Sequence, residues 1–280
     1  YAFESCTKLE SITLSENLTE FGHYVYKYCN ALTYAPIPSC QTEIEEYEFC
    51  GCNSLKTVVI PDNVTSIGNS AFSNIDTLES VYIGAGVTVI GNYAFNSCDG
   101  LKTVTFAPGA DCTLGEDSFS YSKSLKSVVI PGRVKEIKAN CFQCSSGIEE
   151  IIIGEGVEKI DYYAFGVCTS LKKLVLPSTI SYMGDNAFVQ AEKLEELVLT
   201  DGISSIGSYS FLNCYALEEL NIPGSVGTIP RGAFSGCSNV KKVTIGEGVT
   251  EIAEYVFSSC YALEEVSFPS TLKSFDPEVF

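Results

Sequence analysis

The stretch SLKTVVIPDNVTSIGNSAFSN, residues 54–74, decides how this chain is read, because the chain repeats it about twelve times. With Phe72 of its Ala-Phe pair as a marker, the same slot holds Phe3, Tyr26, Phe49, Phe72, Phe95, Phe119, Phe142, Phe165, Phe188, Phe211, Phe234, Phe257 and Phe280. Every step is 23 residues, except the 24 between Phe95 and Phe119. A fixed period of this size marks a stacked-repeat protein, in which each unit buries its apolar face only against its neighbours. Slots are given below as offsets from the marker, so that Leu78 stands at +6.

The +6 slot is Leu in most repeats, and the +9 and +11 slots are apolar, as in Val58 and Ile60 or Leu197 and Leu199. The resulting L-x-x-L-x-L ends on an in, out, in alternation, which is strand periodicity. Branched residues such as Val58, Ile60, Ile151 and Ile153 suit a strand. At +12 stands Pro or Gly in most repeats: Pro61, Gly84, Pro131, Gly154, Pro177, Pro223, Gly246 and Pro269. Pro cannot donate to a ladder, so it belongs at a strand end. The second half reads V-x-x-I-G-x-x-A-F-x-x-C. Val64, Ile67, Ala71, Phe72 and Ile75 fit a turn or two of α- or 3₁₀-helix. Gly68, Gly91, Gly184 and Gly207 mark a bend or close packing.

L-x-x-L-x-L in phase with I-G-x-x-A-F-x-x-C at a 23-residue period resembles the bacterial leucine-rich repeats of the BspA-like subclass, over the whole chain. The resemblance implies an α/β horseshoe-type leucine-rich-repeat solenoid. Its concave face is a parallel sheet, and its convex side carries turns, short strands and short helical or 3₁₀ segments. The expected organisation is one domain over residues 1–280. Both ends fall at the same point of the repeat without the atypical caps of natural solenoids, so the chain reads as an uncapped fragment of a longer protein.

The net charge is −18, with sixteen acidic and nine basic residues in 1–140 and nineteen and eight in 141–280. Acidity spread along the rod argues against nucleic acid, which needs basic stripes, and against anionic membrane surfaces. No apolar run is long enough for a membrane span, and no signal peptide is visible. Eight of the thirteen Cys share the +3 slot: Cys6, Cys29, Cys52, Cys98, Cys168, Cys214, Cys237 and Cys260. Ile75, Ser122, Ser145 and Ala191 fill the same slot elsewhere, which reads as small and buried. Cys50 with Cys52, and Cys141 with Cys144, could form redox pairs or supply zinc ligands. His23 is the sole His, and zinc would need two further ligands. No metal and no cofactor are expected.

Repeat one is regular. Repeat two is not: Pro36 falls inside its strand, Gln41 fills an apolar slot, and an acidic cluster (Glu43, Glu45, Glu46, Glu48) follows. It reads as a decayed repeat with a solvated face, or as a ligand- or cation-binding flaw. Repeat five holds the one-residue insertion. Asp111, Glu116 and Asp117 there resemble a calcium-type oxygen set without the spacing of a calcium loop. From Pro131 onward a second period appears. The +12 residue runs Pro131, Gly154, Pro177, Thr200, Pro223, Gly246, Pro269, and the −2 residue runs Tyr163, Asn186, Tyr209, Gly232, Tyr255. This half reads as duplications of a 46-residue, two-repeat unit.

No G-x-S-x-G, H-E-x-x-H or P-loop occurs, and the Glu pairs recur at the same rung as a surface ladder does, so no enzyme is expected. The informative face is the strand face. Its outward +10 slot holds Val59, Tyr82, Val129, Ile152, Val175 and Val198 among Thr, Pro, Asn and Ser, with charged columns at +7 and +8. An apolar stripe rimmed by charge is the usual form of a protein-binding surface, whereas strand propensity alone would also place branched residues there. A second candidate is the set Tyr1, Tyr24, Tyr47, Tyr93, Tyr163, Tyr209 and Tyr255. The expected function is a non-enzymatic protein-binding module using the concave face. The BspA-like resemblance implies a secreted or cell-surface protein in adhesion, with a host extracellular matrix or surface protein as partner. The alternatives are a carbohydrate-binding or spacer segment of a larger surface protein, and an intracellular scaffold.

Overall fold

The structure is a computed structural model that describes residues 2–15, 17–22 and 25–280. It is a parallel β-solenoid. The L-x-x-L-x-L segments form a long-strand ladder of three sheets. Thr57–Ile60, Ser80–Ile83 and Thr103–Phe106 make the first; Ser127–Ile130, Glu150–Ile153, Lys173–Val175 and Glu196–Val198 the second; Glu219–Ile222, Lys242–Ile245 and Glu265–Ser267 the third. A second ladder of shorter strands runs through seven coils from Glu43–Ile44 to Tyr182–Met183, and through three more from Thr228–Ile229 to Ser274–Phe275. Pairing is parallel and one repeat apart, as in Val59 against Tyr82 and Val128 against Ile151.

The marker segment forms the third side, and here the expected helical turn over residues 64–75 is replaced by a short strand, Ser66–Ile67, and a stacked turn. Residues at −2 and +2 are left-handed, as at Ser70 (φ 54°) and Asn74 (φ 59°), which breaks any right-handed helix. The N–H groups of Ser70, Phe72 and Asn74 donate outward to the carbonyls of Asn92, Ala94 and Asn96 in the next coil. Those of Ala71 and Ser73 donate locally, to Gly68 and Ser70. Alternate groups are therefore spent between coils, and none remains for a continuous helix. The −2 column Tyr163, Asn186, Tyr209, Gly232, Tyr255 is this left-handed slot. Among the described residues the only helical element is one 3₁₀ turn, Gly224–Val226.

The marker rings fill the centre as one column of stacked rings from Phe3 to Phe280, with neighbouring centroids 5.0–6.3 Å apart. The +3 thiols lie beside it, and all thirteen Cys are free. Each column thiol from Cys29 onward points at the marker carbonyl of the coil before, as Cys98 Sγ does toward Phe72 O at 3.3 Å and Cys237 Sγ toward Phe211 O at 3.5 Å. Ser145 Oγ takes the same place against Phe119 O at 3.3 Å, whereas Ile75 and Ala191 fill the slot without a donor, so the slot requires burial and accepts a donor.

Repeat one, regular in sequence, forms no strand among its described residues. The segment that should pair with it carries Pro36 and Pro38, which have no N–H. The contacts that survive among the described residues include Thr33 N and Oγ1 to Glu10 O, each at 3.1 Å, and the Tyr34 hydroxyl to the Ile12 carbonyl. Gln41, at its apolar slot, is buried and donates through Nε2 to the wholly buried Glu48 carboxylate at 2.8 Å. Farther along, the long ladder breaks or thins at Pro131, Pro177 and Pro223 of the +12 slot, whereas the coil of Pro269 stays paired at three positions. The first sheet ends before Pro131 and the second before Pro223. Before Pro177, pairing shrinks to the single pair Glu150–Lys173. Where +12 keeps an N–H the ladder stays closed: Ala107 donates to Ile83 O, Gly154 to Ile130 O and Gly246 to Ile222 O, each at 2.8 Å.

Candidate functional site

Long-strand side chains alternate as a strand with one buried face must. Val58, Ile60, Leu174 and Ile151 are buried, while the +10 residues between them stand out. Val59 is 57% exposed, Tyr82 40%, Val129 52%, Ile152 48%, Val175 42% and Val198 38%. Strand pairing sets Val59 beside Tyr82, Val129 beside Ile152, and Val175 beside Val198. Ile152 and Val175 face each other across one cleft. The four residues from Val129 to Val198 therefore form one patch, and Thr105 separates it from Val59 and Tyr82.

The charged columns beside the patch largely neutralise themselves between rungs. Lys172 Nζ and Lys126 Nζ lie 2.7 and 3.4 Å from the Glu149 carboxylate, Lys173 lies 2.8 Å from Glu196, and Lys241 lies 2.9 Å from Glu218. The hydrogen bond from Lys172, then that from Lys126, holds the Glu149 carboxyl below its ordinary range. Lys241 does the same for Glu218. These exposed pairs fix register more than they stabilise.

Three clefts open on this face at one phase of the repeat. The first, about 310 Å³, lies between Ile151, Ile152 and Ile153 on one rung and Val175, Leu176 and Pro177 on the next, with Glu150, Glu155 and Lys173 at its mouth. The second, about 200 Å³, lies between Val104, Thr105 and Phe106 and the rung of Val129 and Pro131. The third, about 240 Å³, lies between Ile12, Thr13 and Leu14 and the rung of Pro36 and Pro38. Each has Pro at +12 on its upper rung. The Pro/Gly alternation is plain in the sequence, and the missing N–H is the signal in it for these three openings, although the coil of Pro269 stays paired.

The remaining candidates are dispersed. Asp111 pairs with Lys135 at 3.8 Å, whereas Asp117 is buried and accepts from Asn140 Nδ2 at 3.2 Å. Among the described residues no three His, Cys, Asp or Glu side chains converge as metal ligands. Cys141 is buried against Ser118 Oγ at 3.2 Å, and Cys144 is half-buried. His23, Tyr1 and Tyr24 lie outside the described residues. The other Tyr of the second set occupy left-handed turn positions and lean on neighbouring coils. A Cβ on Gly232 would meet the Tyr209 ring at 2.2 Å, Lys27 Nζ lies 4.6 Å from the Tyr47 ring centre, and Arg231 lies 5.3 Å from that of Tyr255. Among the described residues no helix is long and apolar enough to cross a membrane.

The family model for the BspA type leucine rich repeat region matches residues 1–102, 100–218 and 158–280. No curated protein matches the chain. Among solved structures, a leucine-rich repeat protein from Bacteroides ovatus is similar with a TM-score of 0.76 and 26% identity, over 98% of this chain and 76% of that one. A leucine rich cell surface protein from Faecalibacterium prausnitzii aligns with a TM-score of 0.49 and 24% identity, over 82% of this chain and 78% of that one. Leucine-rich repeats of this kind are generally non-enzymatic protein-interaction scaffolds. With the repeat model matched along its whole length, the chain belongs to the BspA type leucine rich repeat family.

Proposed function

We propose that this chain is a non-enzymatic, secreted or cell-surface module that docks a host extracellular protein on its long-strand face, for adhesion. The observation that carries the reading is the run Val129, Ile152, Val175, Val198: four apolar side chains on successive rungs, each more than a third exposed, with none of the described residues folded over them. Charge at the rims is mostly paired within the solenoid, so a partner meets apolar surface inside a polar border. Val59 and Tyr82 extend the same column as a smaller second patch. Tyr82 is the one aromatic in that column, which disfavours a glycan platform.

The test is binding to a panel of immobilised purified matrix proteins, with the parent chain beside a variant carrying Val129→Ser, Ile152→Ser, Val175→Ser and Val198→Ser. The expected result is capture by a panel member that weakens at least about tenfold in the folded variant. Equal capture by both moves the site to the tyrosine-bearing turn side. Capture by neither supports a spacer segment.

A further inference from the structure

We infer that the two clefts ending on Pro131 and Pro177 form one peptide-reading pair, whose occupant is a basic polyproline-II segment with apolar residues three positions apart. The inference rests on the proposed protein-binding role of this face and names the chemistry of the bound segment.

The first argument is spacing. The clefts use the same slots, +9 to +11 on the lower rung and +10 and +12 on the upper, and their prolines are 46 residues apart. Two coils separate them. That is about 9.6 Å on the strand side, and two ring steps of 5.4 and 5.3 Å at the core. A polyproline-II helix has three residues per turn and rises about 3.1 Å per residue, so it repeats one edge about every 9.3 Å. A β-strand presents one face every ~6.6 Å and misses the second cleft.

Hydrogen bonding supplies the second argument. In closed junctions the +12 N–H reaches the +11 carbonyl, one slot past the outward residue of the rung below, as Gly154 N does to Ile130 O at 2.8 Å. Opposite Pro177 and Pro131 that donor does not exist, so the edges at Ile153 and Phe106 lack it. A polyproline-II backbone has no internal hydrogen bonds, and its non-proline N–H groups are free for such carbonyls. An α-helix presents side chains seven apart at a similar distance, about 10.5 Å, but keeps its N–H groups to itself.

Charge sets the sign of the flanking residues. Lys173 at the mouth is neutralised by Glu196 at 2.8 Å. Glu150 has no ion pair among the described residues, and Glu155 binds only the uncharged Ser178, at 3.0 Å through Oγ. The mouth of the Pro177 cleft is therefore anionic and complements Lys or Arg beside the anchor seated there, while the Pro131 cleft has no carboxylate in its lining and Arg133 5.9 Å from its Phe106 ring.

The experiment is fluorescence anisotropy with three labelled peptides. One is Lys-Leu-Pro-Pro-Leu-Pro-Lys; one has the same composition with the leucines two apart; one is a lysine-bearing helical peptide with leucines seven apart. The first should bind at least about tenfold more tightly than the others. It should weaken about tenfold with Pro177→Gly, which restores the N–H carried by the Gly154 and Gly246 junctions; circular dichroism checks the fold. If that variant misfolds, Ile152→Ser at the exposed mouth replaces it, with the same loss expected. Equal binding of either control peptide, indifference to the cleft variants, or no binding of the first peptide below about 1 mM overturns the inference. Loss of a matrix partner by the four-Ser variant alongside any of those outcomes leaves the protein-binding role standing and removes only the cleft reading. A cleft-dependent first peptide with no captured matrix protein keeps the protein-binding face and removes only its matrix-adhesion role.

Discussion

The ring side and the long-strand side of this solenoid are built by the same repeats, yet one is continuous and the other is cut. Ring stacking runs through the junctions where the strand ladder fails: Phe95 and Phe119 are 5.2 Å apart, and Phe188 and Phe211 5.7 Å. Backbone bonding does too, with Phe95 N donating to Ser118 O and Phe188 N to Ser210 O, each at 2.8 Å. On the opposite side the ladder stops before Pro131 and Pro223 and thins before Pro177. Cohesion between coils thus resides in the rings and the turns behind them. The long-strand face can lose ladder bonds without unstacking the molecule, and that freedom is what allows clefts there.

The largest test of that division is alkaline pH. Burial pushes the thiols of Cys52, Cys98, Cys141 and Cys214, all beside the ring column, up to about 12 from an ordinary 9. The unfolded chain releases these protons above pH 9 while the folded chain keeps them. Stability is therefore full below pH 9 and falls as pH rises toward 12, by about 1.4 kcal/mol per buried thiol per pH unit. Urea midpoints at pH 8 and pH 10 should differ accordingly; no change would mean that the thiols are open to solvent.

Next comes Phe165→Ala, which removes a ring stacked on both sides at 5.3 and 5.1 Å. It should cost about 3–5 kcal/mol in a urea titration, and a loss below about 1 kcal/mol would mean that the rings are not the principal cohesion. Ala107→Pro should convert a closed junction into an open one, because it removes the 2.8 Å bond to Ile83 O. The cost should be about 1–3 kcal/mol, with faster amide exchange confined to the rungs on either side of that junction. Global loss of protection would show that the strand side is as cohesive as the ring side. The smallest effect belongs to the Val129, Ile152, Val175 and Val198 serine substitutions, each within about 0.5 kcal/mol at an exposed site; unfolding of that variant would break the inside–outside register itself.

Much of this was legible in the chain because a period of 23 residues exposes which slots tolerate what. Val58 and Val59 are the same residue type, yet the alternation assigns one inside and one outside, and they are 0% and 57% exposed. The marker segment was less legible. Val64, Ile67, Ala71 and Phe72 have helix-like spacing, but the left-handed residues at −2 and +2 and the donation of alternate N–H groups to the next coil are properties of the stack. Asn186 and Gly232 at −2 carried a hint, since both accept a positive φ, but Tyr163, Tyr209 and Tyr255 in the same column concealed it. Repeat one shows the same limit. Its sequence is regular, and its strand is lost through its neighbour's prolines, a defect one coil away from the residues it affects. The clefts were half-legible: the prolines are plain in the sequence, and only the ladder shows which carbonyls they leave unanswered.

The alternation of Pro and Gly at +12 also bears on how such a chain can lengthen. A recombination event that inserts or deletes a whole 46-residue block joins like to like, so openings and closures keep their order and the pitch of the face is inherited intact. An event that gains or loses one 23-residue coil sets two proline coils or two glycine coils side by side, and every cleft beyond that point falls out of step with those before it. Copy number can therefore drift in even steps while the spacing offered to a partner stays constant, whereas an odd step changes what the surface measures.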